Sequence, residues 1–233
     1  MSGLMGSLLP SYLFCIAEMG VDSALAGTLN SLTPIFVIIV GAVFFRNQTS
    51  SSKITGILIA FAGSVLLFFN QPHFTENSNL VYVLYIVLAT ILYGINVNMV
   101  QRQLSKVPSV KAVAAALTLN SIPALIILFF TGYFDLELSS KGVLASTGFS
   151  FILGIFGTAL ASILFYILIK RAGAVFSAMV TYGIPVVANF WGVIYGEFVG
   201  IIQVLCLMII LLGVYVANRK TKELKLVKIS DEV

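Results

Sequence analysis

The sequence predicts an all-α membrane protein of eight transmembrane helices, built from an inverted repeat. Three observations carry this. First, the 233 residues are 59% apolar and only 9% charged, where a soluble domain has about a quarter charged residues. A surface that apolar needs lipid as its solvent. Second, eight apolar runs are long enough to cross a bilayer: residues 3–20, 23–45, 54–70, 80–101, 110–131, 147–169, 173–195 and 199–217, here spans one to eight. Third, residues 154–192 lie without a gap on residues 3–41 after a shift of 151 positions. Gly3 meets Gly154, Gly6 meets Gly157, Ser11 meets Ser162, Leu13-Phe14 meets Leu164-Phe165, Pro34 meets Pro185 and Gly41 meets Gly192. The register then slips by one, so that Gly63 meets Gly213. Spans one to three therefore recur as spans six to eight. Corresponding spans are offset by five, an odd number, so the second copy runs through the membrane upside down. Inverted repeats of this kind build many secondary transporters.

Span one has no Lys or Arg ahead of its apolar run, and Glu18 and Asp22 interrupt its end. It reads as a mature span rather than a signal peptide. Polar segments separate the spans at 46–53, 71–79, 103–111 and 134–142. Spans four and five have no counterpart within the chain. After span eight, residues 218–233 form a basic tail, disordered or lying on the membrane surface. Alternating the sides from Met1 puts 12 of the 13 Lys and Arg residues on one side and leaves only Lys141 on the other. That bias makes both termini cytoplasmic. The basic residues sit in short loops and the tail rather than on one face, which excludes nucleic acid as a partner. Cys15 and Cys206 lie in apolar runs without metal-ligand spacing and read as packing residues.

LNSLTPIFVIIVGAVFF, a turn, and GILIAFAGSVLLFF, with the second version YGIPVVANFWGVIYGEFVG and LLGVYVANRK, resemble the EamA repeat of the drug/metabolite transporter superfamily. The shared pattern is a helix with a central proline, a glycine seven residues on, a Gly-Glu turn, and a second helix ending in glycine and small apolar residues. Two departures stand out: Phe45-Arg46 replaces Gly-Glu in the first copy, where the second keeps Gly196-Glu197, and two helices of the family's ten are absent from the N-terminal side. The resemblance implies the remnant of a ten-helix, 5+5 inverted-repeat bundle around a central cavity. Residues 1–70 are then a partial first repeat of three helices, and 80–217 a complete second repeat of five. Partners for spans four and five are expected from a partner chain or from missing N-terminal helices.

Pro34 and Pro185 lie mid-span. Each removes a backbone donor and bends its helix, as a packing kink or as a hinge. Polar side chains at membrane depth are candidate cavity residues: Tyr12, Asn30, Tyr93, Asn96, Tyr166, Tyr182 and Asn189. For any one of them, interhelical bonding worth about 0.6 kcal/mol is the stronger reading; for the set, it is a wet cavity binding a small polar metabolite. Trp191 and Tyr195 read as an interfacial belt. Gly3/Gly6, Gly154/Gly157 and the alanines at 112 and 114–116 read as close-packing surfaces.

No HExxH, GxSxG, Cys–His pair, buried carboxylate pair or phosphate loop occurs. The expectation is no enzyme, no cofactor and no metal. The residues point to a transporter exporting or exchanging a metabolite, seated in a bacterial inner (plasma) membrane. The alternative is a truncated, non-transporting paralogue or membrane scaffold. Reporter fusions at Lys53, Asn79 and the C-terminus are expected to read inside, outside and inside; an outside C-terminus contradicts the eight-span topology.

Overall fold

The computed structural model describes residues 2–21, 23–69, 80–137, 139–194 and 200–218. Among these residues every regular element is helical. Six helical stretches are long and apolar enough to cross a membrane: Leu25–Phe45, Ser51–Phe69, Leu80–Gln103, Ser109–Phe130, Lys141–Ala172 and Ile201–Asn218. The other two predicted spans, one and seven, appear as the shorter apolar helices Leu4–Ala17 and Ala174–Val187. At 1.5 Å per residue the first falls short of the ~30 Å of a hydrocarbon core, while the helical run of the second continues to Ile194. The first is cut short by a turn at Glu18–Gly20, and the second is interrupted by a 3₁₀ segment.

In chain order the elements are α1 (Leu4–Ala17), α2 (Ser23–Asn30), α3 (Thr33–Phe45), α4 (Ser51–Phe69), α5 (Leu80–Gln103), α6 (Ser109–Phe130), α7 (Lys141–Ala172), α8 (Ala174–Ala178), α9 (Ile184–Ile194) and α10 (Ile201–Asn218). α1 opens with a π-turn over Leu4–Leu8, and α7 carries one over Gly154–Leu160. Glycine ends α7: Gly173 sits at φ 89°, and its N–H closes back on the Ile169 carbonyl. α3 ends differently, on Arg46 at φ 52°, a left-handed conformation that a side chain makes costly.

Three apolar clusters hold the bundle. One gathers Val37, Val97, Val100, Val113, Tyr166 and Ile169 from α3, α5, α6 and α7. A second joins Ala17, Val21, Ala26 and Ile86 where α1, α2 and α5 meet. The third runs along α4 and α10 and takes in Met179 and Tyr182. α5 is central, packing against α1, α2, α3, α7 and α8.

Among the described residues, the α4–α10 seam brings two helix backbones closest together. A Cβ built on Gly56 falls 2.3 Å from the Ala217 nitrogen, and one on Gly213 falls 2.4 Å from the Ala60 nitrogen. Small residues let the two backbones touch, which is how helices associate where lipid removes the hydrophobic incentive. The N-terminal part of α7 is the opposite case: Lys141–Leu153 and the π-turn after it bury no residue. Gly213→Leu is therefore expected to cost about 1–3 kcal/mol by overpacking, and Gly148→Leu, which points into open space, close to nothing. Thermal unfolding of the two purified variants in detergent checks this.

Candidate functional site

α5 carries two polar clusters at different heights. In the deeper one, the Ser2 hydroxyl donates to Asn96 Oδ1 at 2.8 Å and lies 2.5 Å from the Tyr166 hydroxyl, so α1, α5 and α7 share one chain of hydrogen bonds. α1 comes this close because it presents glycine there. A Cβ on Gly6 falls 2.2 Å from the Asn96 amide, and one on Gly3 falls 2.7 Å from the Ala116 carbonyl oxygen. Asn120 is buried beside Gly3, and its amide nitrogen has no hydrogen-bond partner among the described residues. A cavity of about 20 Å³ lies between Gly6, Ser7, Ser162 and Tyr166, close to the volume one water needs.

The second cluster lies near the end of the bundle that carries Arg46, Arg102 and Lys170. Asn98 is 1% exposed. Its amide nitrogen donates to the carbonyls of Val37 and Gly94, both at 2.9 Å, and its Oδ1 accepts from Asn47 Nδ2 at 3.0 Å. Gln101 Oε1 accepts the Ala174 N–H at 3.1 Å and so caps α8. Arg102 donates to the Phe45 carbonyl, and Lys170 to the Val107 carbonyl. Asn47, Gln48, Thr49, Lys53, Asn98 and Gln101 line a polar pocket of about 180 Å³. A larger hollow of about 850 Å³ lies between Leu128, Tyr133, Val143 and Phe151, with Ser140, Ser146, Thr147 and Ser150 also on its walls.

Two spans are broken near mid-length. Span two stops at Asn30, turns at Ser31 and Leu32, and restarts at Thr33 with Pro34 in the first turn. Span seven passes from α8 through a 3₁₀ segment, Met179–Gly183, into α9, whose second residue is Pro185. Proline suits a helix start, where its missing N–H is no loss. The bends predicted at Pro34 and Pro185 are thus breaks just before each proline. Ser31 and Thr33 are buried at the first break, and the Thr33 hydroxyl donates to Asn30 Oδ1 at 3.2 Å.

The structure brings Asn96 and Tyr166 together and places Tyr93 nearby, its ring 6.3 Å from that of Phe14. Asn30 stands apart at the first break. Tyr12 is 48% exposed and outside both clusters. Tyr182 is 1% exposed, and its hydroxyl donates to the Ile57 carbonyl of α4 at 3.1 Å, inside the packing beside the α4–α10 seam. The side chains of Asn189 and Trp191 and the segment holding Tyr195, Gly196 and Glu197 lie outside the described residues. Sequence reasoning passed over Ser2, Asn98, Gln101 and Asn120. Asn98 was within reach, since a second asparagine two residues from Asn96 must point to another neighbour. No group of three His, Cys, Asp or Glu side chains forms among the described residues.

A family model for the EamA-like transporter family matches residues 1–69 and 80–219. An uncharacterised transporter of Archaeoglobus fulgidus is 29% identical over 206 residues, which are 88% of this chain and 71% of that protein. A solved crystal structure superposes with a TM-score of 0.75 at 19% identity, over 94% of this chain and 76% of its own; the likeness shows the shared fold.

Asn98→Leu is expected to destabilise the protein by about 2–3 kcal/mol, because the buried Val37 carbonyl loses its donor and Asn47 its acceptor. Asn96→Leu is expected to cost about 1 kcal/mol, since Ser2 keeps Tyr166 as a partner. Denaturant or thermal unfolding of both variants gives the ranking, and the reverse order refutes this assignment of roles.

Proposed function

The chain belongs to the EamA-like transporter family, and from that premise we propose that it exports or exchanges a small polar metabolite by alternating access. The observation that carries the proposal is the pair of breaks. Shifted by 151 positions, Ser31 and Leu32 fall on Tyr182 and Gly183, the end of the second break. Helices interrupted at corresponding places in two halves are where transporters expose backbone groups to a substrate. The π-turns support the same two-fold relation, since Leu4–Leu8 shifts onto 155–159, inside Gly154–Leu160.

The α4–α10 seam fits the axis of that relation. With the 150-position register of this region, the Gly63–Ile210 contact becomes Gly213–Ala60, which is also made. The two halves would rock about this fixed seam. On the charge bias the Arg46–Arg102–Lys170 end is cytoplasmic, with both termini, in a bacterial inner membrane. The bonds from Asn47, Gln101, Arg102 and Lys170 would help tie that end together in a state of such a cycle closed toward the cytoplasm. No Asp or Glu lies mid-span, which favours uniport or exchange over proton coupling through a buried acid of this chain. The bare outer half of α7 favours a second reading, a non-transporting scaffold.

Comparison of metabolites inside and outside expressing and non-expressing cells separates the two. One small polar metabolite is expected to shift several-fold, and Asn96→Leu or Asn189→Leu to cut the shift about tenfold, as loss of a substrate hydrogen bond worth ~1.4 kcal/mol requires, with membrane levels unchanged. Identical metabolite profiles favour the scaffold.

A further inference from the structure

The polar pocket beside Asn98 has donors to spare. Its walls come from the α3–α4 turn, the first turn of α4, α5 and the α7–α8 junction. At about 180 Å³ it is smaller than the ~300 Å³ at which pockets for larger organic ligands begin. Among the described residues, Lys53 reaches its walls and no Asp or Glu does. The Lys53 ammonium makes no ion pair or hydrogen bond with the described residues, and the Gln48 and Thr49 side chains have no partner among them. Gln101 is half used. Its Oε1 accepts the Ala174 N–H at 3.1 Å, and its Nε2, left without an acceptor among the described residues, stands 3.5 Å from a Cβ built on Gly173. Several acceptors at the rim are already engaged: the Gly41 carbonyl by the Asn47 N–H, the Phe45 carbonyl by Arg102, the Ile169 carbonyl by the Gly173 N–H, and Asn98 Oδ1 by Asn47 Nδ2.

We infer that this pocket binds one small oxyanion, of phosphate or carboxylate size, held by the Lys53 ammonium and the Gln101 amide. A cation without a counter-charge in a polar cleft is matched by an anion, and bonds to a charged group are the stronger kind. α4 starts at Ser51, between Thr49 and Lys53, so the positive end of its dipole adds to the Lys53 charge. Asn98 is a positioning residue here: tied to the Val37 and Gly94 carbonyls, it holds Asn47 at the pocket wall. A free phosphate and a lipid headgroup present the same oxygens. The mostly polar walls offer no apolar trough for an acyl chain, which favours the free ion. Lys53 on α4 and Gln101 on α5 are linked through the bound anion, so binding stabilises the fold. The site is separate from the Asn96–Tyr166 cluster, and its occupancy does not depend on transport.

The test is equilibrium binding of radiolabelled inorganic phosphate to the purified whole chain in detergent, with ionic strength held constant by chloride. Saturable binding of about one phosphate per chain is expected, together with a rise in melting temperature. Lys53→Gln and Gln101→Glu are each expected to weaken it about tenfold or more, as loss of a bond to a charged group requires. Gln101→Glu keeps the oxygen that caps α8 and replaces the spare donor with a negative charge, so it acts on the anion and spares the fold. Lys106→Gln removes an exposed cation that is not on the pocket walls and leaves binding unchanged. Phosphatidylglycerol added to the micelles separates the two sources. Heat stabilisation by the lipid without phosphate binding, lost in both pocket variants, supports the site and assigns it to a headgroup. No effect of either probe, or binding that Lys53→Gln and Gln101→Glu leave intact, overturns the inference and leaves the pocket to water. An equal loss in Lys106→Gln also overturns it, in favour of diffuse charge at that end. No transport is read, so failure of the transport proposal leaves this result standing.

Discussion

The contact between α4 and α10 is the constraint on which the rest of the bundle hangs. In lipid, burying apolar side chains between helices gains little, because the tails outside are equally apolar. Close approach of backbones is what remains, and Gly56, Gly63 and Gly213 provide it. The seam fixes two helices at a spacing that no larger side chain permits. α3 and the 3₁₀ segment Met179–Gly183 then pack on its flank through Ile35, Ile38, Met179 and Tyr182.

The second requirement of a lipid solvent is that backbone groups released by a break find partners inside the protein. At each broken span a side-chain hydroxyl takes one backbone carbonyl: Ser31 bonds to the Thr28 carbonyl and Thr181 to the Ala178 carbonyl, while Thr33 bonds to the Asn30 side chain. Asn98 does the same between helices by bonding the Val37 and Gly94 carbonyls. These polar residues therefore cost the fold little and hold α3 against α5. Asn120, buried with an amide nitrogen unbonded among the described residues, is the exception.

Most of the fold was legible in the sequence because the signals were strong and local. The apolar runs mark the helices to within a few residues, and Pro34 and Pro185 mark the two breaks. Less of the candidate site could be read. Tyr182 and Asn96 carry similar polar groups at membrane depth, yet one hydroxyl ends on a backbone carbonyl and the other side chain joins a chain of hydroxyls. Helix rotation decides which, and rotation is set by packing against neighbours many residues away. Gln101 was hidden for the same reason: its partner, the first N–H of α8, lies 73 positions along the chain. The unequal packing of the two glycine pairs is likewise invisible in a repeat whose two copies read alike.

The length of α7 has a consequence for where the protein can sit. Thirty-two residues make a rod about 48 Å long, against a hydrocarbon thickness of ~30 Å. An average tilt of about 20° takes up only a few ångströms, so roughly ten residues stand outside the hydrocarbon, in the two headgroup zones. Lys141 at one end and Lys170 and Arg171 at the other suit that position. A bilayer thinner by a few ångströms would strand a further turn of apolar α7 among headgroups, a mismatch that costs a fraction of a kcal/mol per ångström. α7 thus spans the hydrocarbon with length to spare at both ends.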